Sequence, residues 1–181
     1  MPDHDDRAFE RIATETIFDG RIITVTNDTF RYADGKTAER EIVRTSGAAA
    51  VVAVDDEHVW LVRQPREPVG DPDSLELPAG RIDGEEALAT AQRELAEEIG
   101  MVAARWSPLK AYRSSVGFTD EVVHLFLAED LAAAAGEHDS GEDERIEIVR
   151  WPLADLEGAI TEVSDSKTLI GLLLLARRRR G

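Results

Sequence analysis

The chain has 181 residues, 43% of them hydrophobic, which is enough to bury one sizeable core and excludes wholesale disorder. Asp and Glu number 37 against 21 Lys and Arg, a net charge of −16, and such a field repels phosphate backbones and anionic bilayers, so no nucleic-acid and no membrane partner is expected. The absence of cysteine excludes disulfides, thiol catalysis and Cys-ligated zinc, and leaves carboxylates and four histidines to favour a hard cation bound through oxygen.

In chain order, the opening MPDHDDRAFERIATE is acidic and lacks an apolar run, so it does not read as a secretory signal. The longest apolar stretches, such as 169–176, are too short to cross a bilayer, and a cytoplasmic location is the expectation. Residues 15–44 read as short strands: Ile17 and Phe18, then Ile22, Ile23 and Val25, then 29–32, with Asp34-Gly35 as a hairpin turn before 39–43. Residues 47–54 (GAAAVVAV) are almost continuously apolar, as in a strand covered on both faces, and pair with 58–62.

Residues 66–74 read as a Pro/Gly/Asp loop, and 84–99 as the clearest helix of the chain. Asp83 occupies the N-cap position with Glu86 three residues on, and Gly100 stands where a left-handed C-cap belongs. Strands at 109–113, 122–128 and 146–151 follow, with loops at 114–121 and 136–145 and helices at 153–160 and 167–178. Strands interspersed with helices predict an α/β fold, an α+β mixed-sheet sandwich. Its domains are a β-rich segment over 1–45 and a second domain over 46–181.

The central helix carries a carboxylate cluster. At about 100° per residue, Glu94, Glu97 and Glu98 share one sector of roughly 100°, flanking a stripe of Leu88, Ala91, Leu95 and Ile99. Crowding like charges at these spacings is unfavourable. Arg93 offsets part of that cost and a divalent cation would reverse it, Mg²⁺ suiting a site of few carboxylates completed by water and phosphate. An ordinary solvated acidic face has the same composition.

The motif separates the two readings. Gly80, Glu85, Arg93-Glu94-Leu95, Glu97-Glu98 and Gly100-Met101 resemble the Nudix box, G-x5-E-x7-R-E-U-x-E-E-x-G-U with U apolar, and 93–101 matches it at every position. Only four residues separate Gly80 from Glu85, where the box has five. Glu85 keeps the seven-residue spacing to Arg93, so the shortening is assigned to the loop after Gly80.

The segments 47–54, 61–66 (LVRQPR), 75–80 (LELPAG) and 115–121 (SVGFTDE) are similar to the ADP-ribose pyrophosphatase branch of that family, over roughly 15–178. The resemblance implies a Nudix fold with an N-terminal antiparallel β appendage that exchanges between subunits of a homodimer. It implies an enzyme using Mg²⁺ or Mn²⁺ to hydrolyse the pyrophosphate of a nucleoside diphosphate derivative, ADP-ribose to AMP and ribose 5-phosphate first among them. Glu94 and Glu98, with Glu97 and the Ala79 carbonyl, would be the metal ligands, oriented by Arg93. Arg66 would contact a substrate phosphate, and Glu76, Arg44, Gly117 and Phe118 would line the substrate site, with Arg40 an alternative to Arg44. A general base would come from Glu142 or Glu144 in the loop before the last strand, Glu142 being preferred.

Two departures bear on the substrate: Val116 stands where the branch has proline, and Pro65 where it has an aromatic. Another nucleotide sugar or a dinucleotide is therefore an alternative, and a non-catalytic ADP-ribose sensor a remoter one, since there is no room for a DNA-binding domain. A calcium-binding protein is weaker still, for want of a D-x-D-x-D-G loop. His124 reads as packed, Glu121 as loop, and the arginines at 177–180 as complements to a helix C-terminus.

Overall fold

A computed structural model describes residues 8–135 and 145–180. The chain divides into two compact units: one takes the described residues up to Ser46 together with Arg113–Glu121, the other Gly47–Tyr112 and the described residues from Val122 onward.

The first unit is an antiparallel sheet of β1 (Phe9–Asp19), β2 (Thr24–Tyr32) and β3 (Thr37–Arg44), in that order. The two short apolar runs expected after residue 20 merge into the single strand β2, while Ile22 stands exposed in the turn before it. The Asp-Gly hairpin forms as read: Gly35 has φ +82°, its N–H donates to the Tyr32 carbonyl at 2.9 Å, and Asp34 Oδ1 accepts from the Lys36 N–H at 3.0 Å. The 114–121 loop joins this unit through Val43, whose N–H donates to the Phe118 carbonyl at 2.8 Å. Residues of β1 are exposed throughout, including Phe9, Ile12, Ile17 and Phe18.

The second unit is a mixed sheet between helices. Its strands are β4 (Ala48–Val54), β5 (His58–Arg66), β6 (Asp71–Glu76), β7 (Ala79–Arg81), β8 (Met101–Arg113), β9 (Val122–Ala133) and β10 (Glu147–Pro152), and its helices α1 (Ala87–Ile99), α2 (Leu156–Glu162) and α3 (Ser166–Arg180). The main order is β10-β5-β4-β9-β8, with β6 on β5 and β7 on β4. Strand β4 is parallel to β9 and antiparallel to β5 and β7.

The alternation of β4 builds both layers of the core. Ala49, Val51 and Ala53 pack with Ala91, Leu95 and Ile99 of α1, while Ala50 and Val52 pack with Leu77, Leu172, Leu175 and Ala159. This is why the strand reads as continuously apolar: both faces are covered.

The part read as a loop at 66–74 is instead a hairpin, a 3-10 turn at Glu67–Val69 followed by β6, whose Ser74, Leu75 and Glu76 pair with Gln64, Arg63 and Val62. Its Pro72 is tolerated because β6 pairs on one side only.

Candidate active site

Helix α1 starts at Ala87, later than the capping box predicts. Asp83 does not cap it, because Arg81 takes both its oxygens at 2.7 and 2.9 Å, and Glu86 occupies the N-cap without a side-chain bond. The C-terminus is as read: Gly100 has φ +67° and its N–H donates to the Ala96 carbonyl at 3.0 Å. Ala91, Leu95 and Ile99 are buried, but Leu88 in the first turn is exposed and does not belong to the packed stripe.

The carboxylates beside that stripe differ in environment. Glu98 is buried, at 5% exposure, Glu94 is nearly so, and Glu97 is half exposed. Arg93 ties the cluster together: Nη1 reaches Glu94 Oε1 at 2.8 Å and Glu97 Oε2 at 2.6 Å, and Nε donates to Glu85 Oε1 at 3.1 Å. Burial would lower the pKa of Arg93, but the bond to Glu97 and the charge of Glu94 outweigh it and raise it, so the guanidinium is a permanent cation among the acids. It is Glu85, not Glu86, that meets Arg93, as the seven-residue spacing implies.

The segment 76–80 holds the site together residue by residue. Glu76 accepts two parallel bonds from Arg66, Nε to Oε1 and Nη2 to Oε2, each 2.7 Å, and is also paired with Lys167. The Leu77 N–H donates to the Thr168 hydroxyl at 2.8 Å, and the Pro78 carbonyl accepts from the Val51 N–H at 2.9 Å. The Ala79 N–H donates to Glu98 Oε2 at 3.1 Å. Gly80 lies against Glu94, where a Cβ would fall 1.8 Å from Oε1.

Glu76 is 2% exposed, and burial alone would raise its pKa; the bonds from Arg66 and Lys167 win and bring it down to about 2. The bond to Glu76 in turn raises the pKa of Arg66, with Glu98 and Asp165 adding to the effect through their charge.

Among the described residues no three acidic or histidine side chains converge on one point at metal-binding distance. The positive charge within the α1 cluster is that of Arg93. Carboxylate oxygens in a chain without thiols nonetheless suit a hard divalent cation, and the lack of a Cβ at Gly80 lets the Glu94 carboxylate reach the strand.

Arg44, Gly117 and Phe118 are found in the other unit. There they line a cavity of about 500 Å³ with Arg40, Arg113, Phe9, Phe30 and Tyr32. Arg44 is held by Asp28, which is fully buried, and by Asp120 at 3.1 Å; Arg40 donates to the Glu39 carbonyl at 2.7 Å. Three arginines around an aromatic cavity are a local inversion of the chain's overall charge. Glu142 and Glu144 lie outside the described residues.

Sequence reasoning missed four participants. Asp28 reads as an ordinary strand residue, and nothing local marks it as the anchor of Arg44. Lys167, one of three lysines in the chain, and Thr168 lie in the first turn of α3 and grip Glu76 and Leu77, and Asp165 just before the helix holds both of them. A Ser-Asp pair before that helix was the available signal.

A NUDIX domain profile matches residues 43–170. An ADP-ribose pyrophosphatase of Bacillus subtilis (strain 168) is 39% identical over 168 residues, covering 91% of this chain and 90% of that protein. A methanol dehydrogenase activator of Bacillus methanolicus is 36% identical over 168 residues, with the same coverage of both chains. The crystal structure of an ADP compounds hydrolase superposes with a TM-score of 0.84 at 26% identity, covering 97% of this chain and 96% of that one.

Proposed function

This chain belongs to the Nudix family, and from that premise we propose that it is a metal-dependent pyrophosphohydrolase that cleaves ADP-ribose to AMP and ribose 5-phosphate. The observation that carries the reading is the joint anchoring of two of the box glutamates by one short segment: Ala79 holds Glu98 and Gly80 receives Glu94. ADP-ribose is placed first because the Bacillus subtilis relative carries that activity in its name and the superposed structure is that of an ADP compounds hydrolase.

Glu94, Glu98 and Glu97 with the Ala79 carbonyl would hold the cation, taken as Mg²⁺ or Mn²⁺. When bound, such ions supply charge neutralisation at the phosphate oxygens and a water of lowered pKa. The chain's own contribution is orientation. Arg93 keeps Glu94, Glu97 and Glu85 from repelling one another apart, and the Ala79 N–H fixes Glu98. Arg66, its plane fixed by Glu76, offers its Nη1 edge to a substrate phosphate. In the same reading Glu142, or Glu144, is the general base that takes the proton of the attacking water.

Arg44, Gly117 and Phe118 are assigned to substrate contact on the character of their cavity, aromatic faces that suit a base and guanidinium groups that suit phosphate. The segment 1–45 is assigned to a homodimer in which it is exchanged. In support, a three-stranded sheet with Phe9, Ile12, Ile17 and Phe18 exposed has large apolar side chains left to cover.

The test is a product assay of the purified chain with excess MgCl₂ against ADP-ribose, ADP-glucose, GDP-mannose, NADH and diadenosine polyphosphates. Preferential release of AMP and ribose 5-phosphate from ADP-ribose is expected. Preference for another compound would move the substrate within the family, and no hydrolysis of any would leave the sensor reading.

A further inference from the structure

Glu76 is a buried carboxylate with two cations where one would neutralise it. Arg66 occupies both its oxygens through the Nε–Nη2 edge, and Lys167 reaches Oε2 from the opposite element, the first turn of α3. Lys167 Nζ also lies 2.9 Å from Asp165 Oδ2, and that oxygen accepts the Thr168 N–H at 2.9 Å and the Thr168 hydroxyl at 2.6 Å. The charges alternate along a line, Asp165, Lys167, Glu76, Arg66.

Exposure along that line is lowest at Glu76 and rises toward both ends, with Asp165 24% exposed at its side chain. Lys167 is 14% exposed, Glu76 2% and Arg66 40%, so the more open end of the line is its arginine. A pair consisting of Arg66 and Glu76 alone is neutral and has little attraction for an incoming anion. The four charges sum to zero, but Glu76 divides its charge between Arg66 and Lys167 while Asp165 pairs with Lys167, so less of the Arg66 charge is cancelled locally and more of it is left at the open end.

Stability alone does not explain the arrangement, because buried ion pairs gain little over apolar packing of the same volume. Three residues after Glu76 the Ala79 N–H holds Glu98, one of the carboxylates of α1, at 3.1 Å, which sets this line near the proposed reaction centre.

We propose that Lys167 is a positioning residue for substrate phosphate: by compensating Glu76 from the α3 side, it leaves Arg66 oriented by that carboxylate but free in charge to bind the diphosphate of the nucleotide substrate. The proposal rests on the reading that Arg66 contacts a phosphate. Lys167 touches no substrate itself and acts through Glu76.

The experiment is a double-mutant cycle in steady-state kinetics with ADP-ribose and saturating MgCl₂, using Arg66→Ala, Lys167→Met, both together, and Lys167→Arg. Lys167→Met is expected to raise KM about tenfold, the size of one charge-assisted hydrogen bond, with kcat changed much less. It is expected to add little to Arg66→Ala, and Lys167→Arg to restore KM to near the wild-type value. Unchanged KM in Lys167→Met, or full additivity with Arg66→Ala, overturns the proposal and leaves Arg66 intact as a phosphate ligand. Unchanged KM in Arg66→Ala overturns the phosphate-contact reading and the proposal with it. Should Lys167→Met fail to fold, the charge-balanced pair Lys167→Gln with Asp165→Asn replaces it in the same cycle, with the same expected rise.

Discussion

Gly80 and Glu94 are in contact across the gap between β7 and α1, so close that a Cβ at position 80 would overlap the Glu94 carboxylate at 1.8 Å from Oε1. The obstruction is the far end of a flexible side chain, so Gly80→Ala is expected to fold and to push that carboxylate aside. Mn²⁺ affinity, measured by the loss of the free-ion electron paramagnetic resonance signal, should fall by about 10- to 100-fold with the thermal midpoint nearly unchanged. Equal affinity in the two proteins would remove Glu94 from the ligand set.

Arg93 stands between Glu85, Glu94 and Glu97, and the replacement that keeps its charge is informative. Lysine cannot reach three carboxylates from one planar fork. Arg93→Lys should therefore lower kcat by about one to two orders of magnitude while circular dichroism stays that of the folded protein. Full activity in Arg93→Lys would mean that charge alone suffices.

Acid titration isolates Glu76. Its folded pKa of about 2 lies below the ordinary 4.5, so between those values the unfolded chain holds a proton that the folded chain does not. Stability from this group is complete above pH 4.5 and is lost as pH falls through 2. Glu76→Gln should cost about 3 kcal/mol at neutral pH, because it leaves Arg66 and Lys167 facing an uncharged amide. It should also flatten the acid side of the stability curve, by about 1.4 kcal/mol per pH unit. Urea denaturation at a series of pH values checks both, and parallel curves for the two proteins would contradict the assignment.

The exposed apolar side chains of β1 carry the dimer reading. Light scattering should give twice the chain mass for the wild type, and Ile17→Asp, at an exposed position, should shift it toward the monomer. A monomeric wild type would contradict the exchanged-segment arrangement.

What the sequence made legible was whatever depends on local spacing. The C-cap at Gly100, the two-faced burial of β4 and the Asp34-Gly35 turn follow from residues within one element, and each is found in the structure. The N-terminus of α1 was misplaced because the capping pattern competes with a pairing it does not encode: Arg81 claims Asp83. Strand β6 was hidden by Pro72 and the aspartates around it, which read as loop until their antiparallel partner is known.

The candidate site divides the same way. Arg93, Glu94, Glu97 and Glu98 were visible because a helix places them by arithmetic, and Glu76 and Arg66 were noticed through their neighbours in the chain. Lys167 is 91 residues from Glu76, and Asp120 is 76 from Arg44, distances over which spacing carries no information about contact.

The most direct test of the account is the dependence of ADP-ribose hydrolysis on added Mg²⁺ in the wild type and in Glu98→Gln, where the amide keeps the shape and can still accept the Ala79 N–H. The account predicts that hydrolysis by the wild type is abolished by chelation and restored by Mg²⁺, and that Glu98→Gln loses about 100-fold or more in kcat/KM. Hydrolysis that persists in chelator, or a Glu98→Gln variant as active as the wild type, would contradict it.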